Sequence, residues 1–112
     1  MSTRQVQFAI DDATAGAAIV DDLLHRRLIS CAQTVGPVTS RYWWHGSINQ
    51  AQEWLFLCKT TADRLDEVID AIRARHPYEL AEIVAFEITD ALDAYTDWIA
   101  AETSFSGDAD IS

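Results

Sequence analysis

Two adjacent tryptophans, Trp43 and Trp44, lie in the aromatic run Ser-Arg-Tyr-Trp-Trp-His-Gly of residues 40–46. The density of aromatic residues and the closing glycine predict a β-strand that ends in a turn. Because neighbouring side chains on a strand point to opposite faces of a sheet, the two indoles cannot enter one core. A chain of 112 residues can cover one face of a sheet with its own helices. The run therefore predicts that another copy of the chain covers the second face.

The composition narrows the class of protein. A chain of 112 residues with 49% hydrophobic residues is expected to form one globular domain over residues 1–103, followed by a disordered acidic tail over residues 104–112. The formal net charge of −10 repels the phosphate backbone, so nucleic acid is not an expected partner. No apolar stretch approaches the roughly 20 residues that span a bilayer, and the start lacks an apolar signal region. We expect a cytoplasmic protein without a membrane partner.

Hydrophobic periodicity predicts an α+β chain. We expect four strands: Gln5–Ile10, Ser30–Val35 with an extended continuation over Val38–Trp44, Gln52–Lys59, and Glu82–Thr89. We expect helices at Ala13–Leu28, from Leu65 to Pro77, and around Leu92–Ile99. The order β-α-β-β-α-β with an extra C-terminal helix is the ferredoxin-like arrangement. Right-handed crossovers place both main helices on the same face of the sheet.

Local signals predict how these elements begin and end. The predicted details are a cap at Asp11 or Asp12, a turn or bulge at Gly36-Pro37, a hairpin loop at His45–Gln50, a capping signal at Thr60–Asp63, and a third helix capped by Asp90 or Asp93.

Two cysteines, Cys31 and Cys58, lack the spacing of a CxxC motif and both lie in apolar runs, so we expect buried reduced thiols. The sequence contains no nucleophile elbow, glycine-rich phosphate loop or HExxH motif. We therefore expect a protein that is not an enzyme.

The densest polar cluster is Arg75-His76-Pro77-Tyr78-Glu79, with Glu82 close behind. Imidazole and carboxylate ligands together bind divalent transition metals, and nitrogen ligands favour copper or zinc over magnesium. His76, Glu79 and Glu82 are the candidate ligands. The alternative is structural: His76 hydrogen-bonds at the end of the second helix, and both glutamates are solvated.

A second candidate site lies at Lys59-Thr60, beside the N-terminus of the second helix, where an anion is stabilised. The ordinary alternative is that Thr60 caps the helix while Lys59 pairs with an acidic residue.

Four aromatic residues form a third candidate, which either stacks a flat ligand or packs between subunits: Tyr42, Trp43, Trp44 and Trp54. Indole and phenol groups anchor protein interfaces, so we favour the interface.

These motifs together resemble the CutA family, small proteins associated with divalent-cation tolerance. The shared pattern comprises Ser40-x-Tyr42-x-Trp44-x-Gly46, Glu53, Lys59-Thr60, His76-Pro77-Tyr78-Glu79-x-x-Glu82-Ile83 and Tyr95-x-x-Trp98. Matching positions extend from about Asp12 to Ile99, nearly the whole chain.

The resemblance implies a homotrimer of ferredoxin-like subunits, similar in outline to PII-type signal proteins. The sheets would face inward, and the hairpin around Trp44–Glu53 would reach a neighbouring subunit. Copper or another divalent cation is the implied ligand, with His76 as one ligand and Glu82 as its helper. Two alternatives stay open: a PII-like sensor that binds a small anionic metabolite through Lys59 or Arg75, and a trimer that serves only as an interaction module.

Several positions depart from the family pattern in ways that bear on the metal site. Phe8 lies in the stretch where some members carry a thiol, and Arg75 stands where a second histidine is sometimes found. Ala81 replaces the proline that precedes the Glu-Ile pair. These changes affect the metal ligands more than the fold.

Overall fold

The computed structural model describes residues 2–104 and contains a four-stranded antiparallel sheet with three helices. The strands are β1 (Thr3–Ile10), β2 (Cys31–Trp44), β3 (Ser47–Thr61) and β4 (Ile83–Ile88), and the helices are α1 (Ala13–His25), α2 (Leu65–Arg75) and α3 (Asp93–Glu102). A short 3-10 turn, Ala62–Arg64, precedes α2. The chain is α+β, and the predicted order of strands and helices is confirmed. In the sheet the strands lie in the order β2-β3-β1-β4.

The first face of the sheet carries the hydrophobic core. Val6, Phe8 and Ile10 alternate along β1 and are fully buried. Apolar residues of α1 and α2 pack against them, and the rings of Phe8 and Phe56 stack with centroids 5.1 Å apart. Asp12 caps α1 as predicted, because its carboxylate accepts hydrogen bonds from the first turn of the helix.

The second face carries the alternate residues of the same strands, and within residues 2–104 it is covered only at one end. Val35, Val84 and Phe86 lie on it by register and are exposed; half of Phe86 is accessible (51%). At the covered end, Tyr95 of α3 places its hydroxyl 3.6 Å from the sulfur of Cys31. No helix within residues 2–104 is long and apolar enough to cross a bilayer.

β2 and β3 continue beyond the rest of the sheet as a two-stranded arm, residues 38–53. The last pair that β3 makes with β1 is Ile10 with Trp54, and past it the two arm strands pair only with each other. The predicted loop at His45–Gln50 is wrong, because His45 and Gly46 form a two-residue turn and β3 starts at Ser47. Both turn residues have positive φ, which matches the twist of a hairpin.

At Gly36-Pro37 the structure has a bulge rather than a turn. The pairing with β3 shifts between Val35 and Val38, yet β2 continues through the shift as one strand. Gly36 has a φ of 152°, and a Cβ atom there would lie 2.7 Å from Cδ1 of Trp54. Only glycine fits this position without displacing the indole.

α1 ends three residues earlier than predicted. Arg27 adopts a positive φ of 57°, and the amide of Leu28 donates to the carbonyl of Leu23 at 3.0 Å. This left-handed residue closes the helix and returns the chain toward the sheet. Leu28 is nevertheless buried in the core, which is why it fitted the helical pattern.

The predicted caps of the other helices differ from the structure in part. Thr61 occupies the N-cap position of the 3-10 turn before α2, but its side chain makes no capping hydrogen bond. Thr60 belongs to β3, and its hydroxyl donates to the carbonyl of Leu28 at 2.7 Å. Leu92 occupies the N-cap position of α3, so neither Asp90 nor Asp93 caps that helix with its side chain. Of the predicted acidic tail, residues 105–112 lie outside the described part of the chain.

Candidate functional site

A cleft of 640 Å³ opens between the arm and the loop that joins α2 to β4. Four carboxylates line it: Asp11, Glu53, Glu79 and Glu82. Four aromatic residues line it too: Tyr42, Trp43, Trp44 and Tyr78. The cleft forms because the arm projects past the end of β1, where the loop after α2 turns back toward β4.

His76 stands behind this cleft, buried, at the C-terminal end of α2. Its Nε2 lies 2.8 Å from the carbonyl oxygen of Ala9, and the amide of Tyr78 donates to its Nδ1 at 3.2 Å. A carbonyl only accepts and an amide only donates, so Nε2 carries the proton and Nδ1 uses its lone pair. Both ring nitrogens are therefore occupied by the backbone, and the imidazole holds the loop in place.

Tyr78 and Glu53 join the loop to the base of the arm. The tyrosine hydroxyl donates to Oε2 of Glu53 at 2.8 Å, and only 7% of Glu53 is exposed. Burial raises the pKa of Tyr78 well above its ordinary value, and the hydrogen bond and charge of Glu53 raise it further. The hydroxyl therefore stays protonated at neutral pH and remains a donor to the carboxylate.

Glu79 and Glu82 line the cleft with exposed side chains. The carbonyl of Glu82 accepts the amide hydrogen of Ala9 at 3.4 Å, which fixes its backbone at the end of β1. Within residues 2–104, however, no three side chains of His, Cys, Asp or Glu converge closely enough to hold a metal ion. The described donors of one chain do not fit a complete metal centre.

The family model described as "CutA1 divalent ion tolerance protein" matches residues 5–102. This chain belongs to the CutA1 family. The match covers every strand and helix except the first two residues of β1, and it includes all the residues of the cleft.

Individual CutA proteins resemble the chain in sequence and in fold. The divalent-cation tolerance protein CutA of Thermus thermophilus is 33% identical over 88% of this chain and 95% of its own length, and that of Thermotoga maritima is 36% identical over 69% and 75%. Among solved structures, CutA from Xylella fastidiosa has a TM-score of 0.89 with 29% identity, covering 92% of this chain and 99% of its own. The CutA1 structure from Thermus thermophilus has a TM-score of 0.87 with 32% identity, covering 90% and 98%.

The two cations of the alternative anion site are not brought together. Arg75 lies on α2, which packs on the first face, and its guanidinium is 3.4 Å from the carboxylate of Asp22. Lys59 pairs with Gln5 and Cys31 in register, which places it on the second face. Neither side chain lines the cleft.

The four aromatics of the predicted interface separate into two groups. Tyr42, Trp43 and Trp44 lie near the end of the arm and are exposed, Trp43 to 72%. Adjacent positions on β2 place the two indoles on opposite faces of the arm. Trp54 instead packs against the core cluster of its own chain.

The cysteines differ in burial. Cys58 is fully buried, as predicted, and burial raises the pKa of its thiol to about 12. Cys31 is only partly buried, because it points to the second face, so the prediction was wrong for this residue. Both are free thiols.

The Glu53–Tyr78 pair and Asp11 were missed as site residues. One signal was available: Glu53 is a charged residue beside a continuous apolar run in β3, where burial without a partner is costly. Its partner, Tyr78, is 25 positions away in the sequence, and only the packing of the loop against the arm brings the two side chains together. The position of Asp11 before α1 predicts only a helix cap.

Proposed function

We propose that this chain is a divalent-cation tolerance protein that binds divalent cations and has no enzymatic activity. The observation that carries the proposal is the family match over residues 5–102. Relatives whose names include divalent-cation tolerance support it at up to 36% identity. The acidic lining of the cleft supports it further, because carboxylates attract cations.

Glu79 and Glu82 are the first ligands of the cation in this proposal. Both are exposed on the cleft, so binding does not require the fold to open. Carboxylate oxygens suit magnesium, manganese or calcium, whereas copper prefers nitrogen or sulfur ligands. Copper binding requires His76 to release the amide of Tyr78, and His76 otherwise acts by positioning the loop.

We further propose that the working form is a homotrimer. The exposed apolar residues of the second face, among them Val35, Val84 and Phe86, support this assembly, because exposed apolar side chains are suited to an interface. Tyr42, Trp43 and Trp44 at the end of the arm are suited to anchoring a neighbouring subunit. Ligands from a second chain would also complete a cation site that one chain leaves incomplete.

Titration calorimetry with Mn(II) and Cu(II) tests the ligand assignment. We expect the double variant Glu79→Gln/Glu82→Gln to weaken binding of both ions by at least about tenfold, the effect of losing charged ligands. His76→Ala should lower the melting temperature and leave the affinity for Mn(II) unchanged.

Asp70→Asn is the matched control, because it removes one charge from an exposed position on α2 outside the cleft. If His76→Ala abolishes Cu(II) binding in a folded protein while the glutamate variant binds normally, His76 is a ligand and the carboxylate assignment is wrong. If wild type binds neither ion, the proposed function is wrong.

A further inference from the structure

Outside the arm, the second face of the described sheet carries one charged side chain. By register its positions on the four strands are apolar, thiol, hydroxyl or amide residues, except for Lys59 on β3. Arg4 and Glu87, the other charged residues of these strands, lie on the first face and form an ion pair with each other at 3.5 Å. Lys59 therefore places a positive charge among uncharged strand residues.

The described residues of its own chain leave Lys59 without a counter-charge. Its neighbours in register are Cys31 on β2 and Gln5 on β1, and Gln5 is followed by Phe86 on β4. Among residues 2–104, no carboxylate forms an ion pair with Lys59. The cations that do form ion pairs in this range are all arginines: Arg4, Arg26, Arg27, Arg64 and Arg75.

Lys59 lies where a partner that covers the apolar residues of the second face must cover it too. β3 is an inner strand, between β2 and β1, so Lys59 is away from both edges of the sheet. Two strand spacings, about 10 Å, separate it from the exposed Phe86. Beside it, the hydroxyl of Tyr95 on α3 lies 3.6 Å from the sulfur of Cys31. Lys59 is already partly buried, and an associated chain removes more of it from water.

A partner on this face has to supply a negative charge. Transfer of an ammonium group from water into an interface is costly unless an opposite charge pairs with it. A second copy of the chain meets this requirement, because its 18 acidic residues outnumber its 8 basic residues. Phe86, which supports the assembly proposed above, lies in the same register row as Lys59, so one partner covers both.

We propose that Lys59 forms an ion pair with a carboxylate of a neighbouring copy of this chain, enclosed between the two subunits. The inference rests on the homotrimer proposed above and adds to it a contact that makes the second face specific. Apolar side chains alone accept many arrangements of two surfaces. An enclosed charge accepts only the arrangement that brings its counter-charge into contact, so Lys59 fixes the orientation of one subunit on the next.

Lys59→Met tests the ion pair by the sign of its effect on association. The association of the full chain is measured by light scattering and sedimentation velocity over a dilution series, in buffer free of phosphate and small carboxylates. We expect association to weaken by at least about tenfold, because the neighbouring carboxylate is left enclosed without a counter-charge. An unpaired Lys59 gives the opposite result, because methionine then removes an uncompensated charge from the interface.

Two variants control for charge and for position. Lys59→Arg keeps the positive charge and should retain the assembly. Arg73→Met removes a positive charge from an exposed position on α2, outside the second face, and should associate like wild type. Circular dichroism checks that each variant is folded, and Lys59→Gln replaces Lys59→Met if the methionine variant does not fold.

Three outcomes overturn the inference. Lys59→Met that associates as tightly as wild type, or more tightly, overturns the ion pair and leaves the trimer standing. Wild type that assembles only after phosphate or acetate is added shows that Lys59 binds a free anion instead of a neighbouring carboxylate. Wild type that is monomeric at micromolar concentration overturns the trimer and the ion pair together, so failure of the assembly is distinguished from failure of this contact.

Discussion

The two faces of the sheet are built from alternate residues of the same strands, yet large apolar side chains on them differ in burial. Phe8 on the first face is fully buried beneath α1 and α2, whereas Phe86 on the second face is 51% exposed. Both are phenylalanines in neighbouring strands of one sheet. The difference shows that α1 and α2 cover the first face, whereas within residues 2–104 α3 covers only one end of the second.

Phe8→Ala should cause the largest loss of stability. The side chain is fully buried and stacks on Phe56 at 5.1 Å, so its removal leaves a cavity in the core. We expect the free energy of unfolding to fall by about 3–5 kcal/mol, as measured by urea denaturation. Phe86→Ala is the matched variant on the other face, and an equal loss there at every protein concentration would erase the contrast between the faces.

Gly16→Ala, also on the first face, should cause the second largest loss of stability. A Cβ atom at this position of α1 would lie 2.2 Å from Cε1 of Phe56, so the helix must move away from the sheet. We expect a loss of about 1–3 kcal/mol in the free energy of unfolding, less the gain in helix propensity. Ala17→Gly, at an exposed neighbouring position, provides a control for propensity alone. A Gly16→Ala protein more stable than wild type would show that the packing of α1 is loose.

Phe86→Glu should change assembly more than the stability of the folded chain. At this exposed position on β4 we expect about 1 kcal/mol or less of intrinsic destabilisation. A charge on the second face should convert the proposed trimer to smaller species, detectable by light scattering. Wild type that is already a stable monomer at micromolar concentration would overturn the assignment of this face to subunit contacts.

The smallest effect concerns alkaline pH at the second face. The hydrogen bond with Cys31 is the main cause, and burial the second, that raises the pKa of Tyr95 to about 12, above the ordinary value near 10. A raised pKa in the folded state means that the stabilisation is complete below pH 10 and is lost as the pH rises toward 12. We expect unfolding free energy to decline over that range, and Tyr95→Phe to reduce the decline. If Tyr95→Phe loses stability over the same pH range and to the same extent as wild type, a group other than Tyr95 causes the loss.

The strands and the first face could be predicted from the sequence because their signals are local. The alternation of Val6, Phe8 and Ile10 specifies a strand with one buried face, and the spacing of apolar residues in α1 and α2 specifies helices that cover it. The ends of the elements were less accurate. The positive φ of Arg27, which ends α1, and the tight turn at His45-Gly46 depend on backbone geometry that residue type favours only weakly.

The candidate site was predicted in part. Glu79 and Glu82 line the cleft as the cluster around His76 suggested, but His76 itself is bonded through both ring nitrogens. Residue type alone does not distinguish a histidine that binds a ligand from a histidine that fixes a loop. The distinction depends on the positions of Ala9, far away in the chain, and of the Tyr78 amide.

The sequence by itself determined the alternation of strands and helices, the family, and the opposite directions of Trp43 and Trp44, because periodicity and local chemistry specify these. Only the tertiary structure decided that Glu53 meets Tyr78 at a distance of 2.8 Å and that a cleft opens beside them. A contact between residues 25 positions apart depends on the positions of the arm and the loop in the folded chain. That placement results from the packing of the whole chain, which no single segment encodes.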